Sequence, residues 1–258
     1  MAVNVFVTGE DGGILNDPVL LRLGTDHFWL SLADSDILLW ARGLAYRSGL
    51  DVTIGEADVA PVQVQGPLSA AVMRDVFGDS VLDIGYYHLR EYDLDGMRLV
   101  VSRTGYTAEV GYEIYVHNAS SDGVRLWNTA WEAGRPHGMR VTGPCHIRRI
   151  EGGILAHGAD ITFDTNPFEV GMGYDWMVDL DQEGDFVARP RSPASRPGGW
   201  PAGSSASRSA APGSAATTTG RWSTSRCATT GRRSGTSRRR ATPPGWRGTS
   251  ASRCSRSI

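Results

Sequence analysis

The stretch SRTGYTAEVGYEIYV, residues 102–116, decides how the rest of the chain is organised. Its second half, Gly111 to Val116, has the aromatic and β-branched content of a strand, and its first half is a glycine-containing turn. Glu113 and Tyr115 are two residues apart, so they share one face of that strand. Immediately upstream, His88 to Asp93 and Met97 to Ser102 flank Asp95-Gly96, the dipeptide signature of a two-residue hairpin.

Working outward, Val19 to Leu23 and Phe28 to Ala33 read as strands around a Gly24-Thr25-Asp26 turn. Ser35 to Tyr46 is expected to be a helix capped by Asp34 or Ser35, with Ile37, Leu38, Ala41, Leu44 and Ala45 on its apolar stripe. Asp51 to Ile54 and Val62 to Gln65 are expected as short strands. Gly66-Pro67 opens a second helix carrying Ala70, Ala71, Val72, Val76 and Phe77. Ser121 to Ala133 is expected as a third helix with Val124, Leu126, Trp127 and Trp131, and a last one runs from near Gly143 through Ile150. Helices and strands with several antiparallel pairings give an α+β class.

The 258-residue chain carries no Lys, and its charge is divided sharply near Arg189. Residues 189–258 hold 14 of the 26 basic residues and none of the 28 acidic ones, which leaves 12 bases against 28 acids before them. That segment lacks the aliphatic content to bury a core, so a disordered tail is expected. Two readings of it stand. One is an Arg/Ser-rich RNA-binding or solubilising segment, with Arg238 to Arg240, Trp222 and Trp246 as its features. The other, preferred for the missing Lys and the narrow alphabet, is out-of-frame translation of GC-rich DNA. Displaced by one base, residues 234–257 can be read as VGHVTSACYSPRLEGNIGFALLPL, which has turns and an apolar end. The acidic body offers a nucleic-acid backbone nothing to hold, so no nucleic-acid partner is expected.

Cys145 is the one cysteine before the tail, which leaves no disulfide framework or CxxC site there; Cys227 and Cys254 lie in the tail. His137, His146 and His157 lack metal-ligand spacing and carboxylate companions, so no metal is expected. GMGYDW (171–176) is not a dinucleotide loop, because its GxGxxG pattern is incomplete. With no signal peptide and no membrane-spanning apolar run, a cytoplasmic location and no membrane partner are expected.

Four stretches occur together: GGILNDPVLLRL (12–23), VQGP (64–67), SRTGYTAEVGYEIYV (102–116) and IRRIEGGILAHGADITFDTNPFEVGMGYDWMVDLD (147–181). Their order and spacing resemble the tetrahydrofolate-dependent aminomethyltransferase family, the T-protein of glycine cleavage and its relatives, over nearly all of residues 5–187. The out-of-frame string is similar to that family's C-terminal barrel. FWLSLADSDILLWARGLA (28–45) and YEIYVHNASSDGVRLWNTAWEAG (112–134) look more like its demethylase branch.

The resemblance implies a folate-binding domain over 1–188 with mixed or antiparallel sheets and packed helices. It implies that 189–258 is the remnant of the barrel, and that the chain is cut at its N-terminus. Apolar faces built to meet missing strands would then be exposed, with poor solubility or oligomers as the consequence. The cofactor it implies is tetrahydrofolate, the reaction methyl transfer from a small donor to N5. The alternatives are aminomethyl transfer with a lipoyl carrier protein as partner, or a non-catalytic fragment. Glu113 would accept the two parallel N–H groups of a pterin in a fork, although a solvent-facing strand Glu is the plainer reading. Arg149 would contact the folate, Tyr106 would border the pterin, and Tyr115 would line the same pocket; packed aromatics are the alternatives for both tyrosines. Where T-proteins have two Asp after GGI-x, this chain has Asn16-Asp17. Asn cannot act as an acid or base, which suits redox-neutral methyl transfer and leaves Asn16, Asp17 and Tyr115 as the candidate reacting-site residues.

Overall fold

The described residues form three antiparallel sheets and four α-helices, which meet through apolar packing. The computed structural model describes residues 1–32, 35–174 and 177–189, all within the first of the chain's two units, Met1–Ala228. Asp34, Cys227, Cys254, Trp222, Trp246 and the expected tail and frame break beyond Arg189 lie outside the described residues.

The elements in order are β1 (Ala2–Asn4), β2 (Val7–Thr8), β3 (Ile14–Asn16), β4 (Val19–Arg22), β5 (Phe28–Ser31), α1 (Leu38–Ser48), β6 (Val59–Gln65), α2 (Ser69–Phe77), β7 (Leu89–Leu94), β8 (Met97–Ser102), β9 (Gly111–His117), α3 (Ala119–Gly134) and α4 (His146–Glu151). Single 3-10 turns follow α2 and α3, at Asp79–Asp83 and Arg135–His137. Strands pair in the orders β1-β4-β5, β2-β3 and β6-β9-β8-β7.

The four-stranded sheet is the frame. Its β7–β8 hairpin turns on Asp95 and Gly96, with φ of 51° and 83°, the left-handed pair a two-residue hairpin requires. The Asp93 carboxylate accepts the Gly96 N–H at 2.9 Å. Alternation divides β9 cleanly. Tyr112, Ile114 and Val116 pack with Val64, Leu99 and Val101 against Val72 and Met73 of α2 and Leu126 of α3. Each such side chain removed from water contributes ~1.5–3 kcal/mol. On the opposite face, Tyr115 and Val100 pack against Ala2 of β1 and Leu21 of β4, so the β1-β4-β5 sheet covers part of that face. Proline is tolerated at position 61 because β6 is an edge strand. Helix α3 starts where it does because the Asp58 carboxylate accepts both the Ser120 N–H (3.0 Å) and its hydroxyl (2.9 Å).

Several sequence expectations need correction. Asp51 to Ile54 forms no strand, because no neighbouring strand pairs with it. The first helix starts three residues later than expected, ends two later, and has no side-chain cap bond from its N-cap, Ile37. Ser35 is drawn instead into a contact with β3, and Asp36 accepts the Leu38 N–H at 2.7 Å. The second helix starts at Ser69 rather than Pro67, and the last at His146 rather than Gly143. In α3 the buried positions are Leu126, Ala130 and Gly134, while Val124 is 74% exposed. Strands β1 to β3 are too short to produce a period in the sequence.

Candidate functional site

The polar face of β9 builds the site. Glu113 stands directly opposite Gln63 of β6 and Ser102 of β8, so three polar side chains form one row across the sheet. The Glu113 side chain is buried and receives three donors. Gln63 Nε2 donates to Oε1 at 2.6 Å, and the hydroxyls of Thr104 and Tyr115 donate to Oε2, the latter at 3.1 Å. Ser102 and Thr104 share a further bond at 2.6 Å. A buried carboxylate without partners would cost several kcal/mol; here the strand register supplies them.

The phenol of Tyr115 is held well above its ordinary value, first by burial and then by the negative charge of Glu113. Its hydroxyl also reaches Ser31 and Ser102. Nearby, Tyr87 adopts φ of 56° and is pushed up to about 12, by burial first and then by Tyr86.

Above this row lies a cavity of about 1160 Å³. Three of the four motif stretches contribute to it: Asp17 from the first, Tyr106 and Glu113 from the third, and His157 and Met172 from the fourth, while Gln63, just before VQGP, adds to the lining. The stretches meet in pairs. In the first pair, Ile14 N–H donates to the Thr165 carbonyl at 2.9 Å, and the His157 ring meets the Ile14 carbonyl at 3.2 Å. Gly13 lies so close to the Phe163 carbonyl that any Cβ would collide with it.

Arg149 is 3% exposed on α4, with its guanidinium on the Asp160 carboxylate, on His146 Nδ1 at 3.1 Å and on the Ile154 carbonyl at 3.2 Å. Asp160 also accepts the Ala156 N–H at 3.1 Å. The arginine therefore ties α4 to the 154–160 turn, and Pro144, Cys145, His146 and residues 152–157 form the adjoining cavity wall. Backbone N–H groups of Arg148 and Ile147 lower the Cys145 thiol.

The structure thus brings Asp17, Tyr106 and Glu113 to the cavity surface. Tyr115 is placed just beneath it, bonded to Glu113. Arg149 stands behind the wall. Asn16 is buried with its amide donating to the Ser35 carbonyl (2.9 Å) and hydroxyl (2.7 Å). Sequence reasoning missed Gln63, Ser102 and Thr104. The alternation Val62-Gln63-Val64-Gln65 is the signal that sets both glutamines on one face. Among the described residues, no group of three or more His, Cys, Asp or Glu is placed to hold a metal ion. No helix among them is long and apolar enough to cross a membrane.

Comparison with known proteins adds four findings. The family model described as the GCVT N-terminal domain matches residues 2–182. A dimethylsulfoniopropionate demethylase of Ruegeria pomeroyi is 44% identical over 162 residues, covering 63% of this chain and 44% of that protein. An aminomethyltransferase of Clostridium botulinum is 32% identical over 193 residues, covering 71% of this chain and 50% of that protein. The chain spans about half the length of these relatives. Among solved structures, the glycine cleavage system aminomethyltransferase T of Bartonella henselae superposes with a TM-score of 0.54 at 24% identity, covering 67% of this chain and 46% of that one. That likeness establishes the fold.

Proposed function

The chain belongs to the GCVT N-terminal domain family, and on that premise we propose that it is the cofactor-holding part of a tetrahydrofolate-dependent methyltransferase of the demethylase kind. The observation that carries the reading is the Glu113 carboxylate, buried yet set on the surface of a cavity large enough for a reduced folate. Its residues fit the group. A carboxylate has about four acceptor sites, and three are taken by Gln63, Thr104 and Tyr115. The remaining site is on Oε1. The Tyr115 hydroxyl has Ser31 within reach as a second acceptor, so turning its proton there opens a site on Oε2 and leaves a fork for two parallel N–H donors.

Tetrahydrofolate held there would supply N5 as the acceptor of the methyl carbon, giving up its N5 proton while the donor heteroatom keeps the bonding pair. Glu113 orients the ring edge, Asp17 on the cavity wall receives that proton, and the wall anchored by Arg149 excludes water. Asn16, engaged on Ser35, takes no part in proton transfer. The similarity to a dimethylsulfoniopropionate demethylase favours a small methylated sulfur compound as donor. The longer coverage by the aminomethyltransferase supports a second reading, aminomethyl transfer from a lipoyl carrier protein.

Titrating the chain with tetrahydrofolate by anaerobic calorimetry tests this. Saturable binding is expected, weakened about 100-fold by Glu113→Ala, the loss of two hydrogen bonds to a charged group. Absence of binding, or an unchanged affinity in the variant, overturns it. Offering dimethylsulfoniopropionate or an aminomethyl-lipoyl protein, with 5-methyltetrahydrofolate or methylene-tetrahydrofolate as the product sought, separates the two readings.

A further inference from the structure

The VQGP stretch contributes no charged or nucleophilic group, and its own side chains hold no place in the chemistry proposed above. Yet its bonds converge on one segment. Gln65 ends β6 opposite Gly111, and its side chain reaches along the loop that joins β8 to β9. Nε2 donates to the carbonyls of Thr104 (3.2 Å) and Tyr112 (3.3 Å), and Oε1 accepts the Thr107 hydroxyl at 3.0 Å. A Cβ at either Gly105 or Gly111 would collide with this amide, so both glycines leave it room. Gly66, at φ of 114°, aims its N–H at the Val110 carbonyl (2.8 Å), which the Ser69 hydroxyl also meets at 2.8 Å. The amide thus joins the start of the 104–112 segment to its end.

We infer that Gln65 is a positioning residue that fixes the loop over residues 103–110 and, through Thr104, the Glu113 carboxylate. Thr104 is the link: its carbonyl is held by Gln65 and its hydroxyl donates to Glu113 Oε2. Tyr106 rides on the same loop at the cavity surface. Gln65 touches no reacting atom; it sets where the acceptor and the aromatic stand. The consequence for ligand binding rests on the reading of Glu113 given above, whereas the clamp itself does not.

The test uses Gln65→Met, which keeps the bulk of the side chain and removes its three hydrogen bonds. In the ligand-free chain, amide hydrogen exchange at residues 104–111 is expected to speed up at least 10-fold, with α3 unchanged. Thr107→Val, a milder lesion at one of the three bonds, is expected to speed the same amides about 2- to 5-fold. Unaltered exchange in both variants overturns the clamp. Tetrahydrofolate affinity is expected to fall about 10-fold in Gln65→Met, and by less than 2-fold when the same change is added to Glu113→Ala. Costs that multiply in the double variant overturn the route through Thr104, because a general structural loss would be independent of Glu113. Failure of the unaltered chain to bind tetrahydrofolate would instead sink the function proposed for Glu113, with the exchange result still deciding the clamp.

Discussion

Strand β9 and helix α1 both carry apolar residues at regular spacing, and the structure treats them in opposite ways. Six of the seven residues of β9 are buried, on both faces, while no residue of α1 is. In α1 Leu39 is 76% exposed and Tyr46 88%. The difference lies in the neighbours. Strand β9 has a strand on each side, helices on one face and the β1-β4-β5 sheet with the cavity on the other. Its apolar side chains exclude water for the same reason that its buried Glu113 must be supplied with donors. Helix α1 touches its surroundings through a few side chains, such as Arg42, which donates to the Ile54 carbonyl at 2.9 Å. Periodicity states which face of an element wants cover; it does not state whether cover exists.

The widest gap between the two regions is expected from truncation. Ile114→Ala on β9 removes a fully buried side chain between α2, α3 and the sheet, and is expected to cost about 2–5 kcal/mol. Leu39→Ala on α1 should stay within about 0.5 kcal/mol. Urea denaturation followed by far-ultraviolet circular dichroism reads both. A large loss from Leu39→Ala would break the comparison, since it would mean that α1 packs against something in solution.

The same contrast explains what could be seen in advance. The β7–β8 hairpin and β9 were legible because Asp95-Gly96 and a period of two are local signals, and the structure reproduces Met97–Ser102 to the residue. Strands of two or three residues, β1 to β3, carry no period at all. Asp51 to Ile54 looks like a strand but finds no edge to join. At the site, Glu113 and Tyr115 could be paired on one face from spacing alone. Gln63 and Ser102 could not be added, because their placement depends on the register of three strands, which side-chain alternation leaves undetermined. The partner of Arg149 was likewise hidden: Asp160 reaches it across a turn. Asn16 and Ser35, nineteen positions apart, meet in a hydrogen bond that no local spacing announces.

A smaller effect comes from the polar face of β9 alone. Tyr115→Phe removes a donor to a buried carboxylate and is expected to lower stability near pH 8 by about 1.5–3 kcal/mol. The Tyr115 phenol is raised in the folded chain, so the stability linked to it is present below the ordinary tyrosine value near 10 and is lost as pH climbs past it. The unfolded chain ionises there while the folded one keeps its proton. The phenylalanine variant has no such loss. Urea midpoints measured from pH 8 to 11.5 should therefore converge. Parallel curves would mean that the hydroxyl is not buried against Glu113, and the polar face would be no more enclosed than α1.

Glycine offers the finest discrimination, because the same methyl group should act with opposite sign in the two regions. Gly43 lies inside α1 with nothing beyond its own neighbouring helix backbone within 4 Å of where a Cβ would stand, and its φ is not positive. Gly43→Ala therefore adds helix propensity and nothing else, and is expected to stabilise the chain by about 0.5–1 kcal/mol. Gly111 begins β9 beneath the Gln65 amide, where a Cβ has no room. Gly111→Ala must displace that amide from Thr104 and Tyr112, so it is expected to destabilise despite the identical gain in backbone restriction. Thermal melts of the two variants give the answer by sign alone. If Gly43→Ala also destabilises, α1 is covered by a neighbour close enough to feel one methyl group, and its exposure cannot be what separates it from β9.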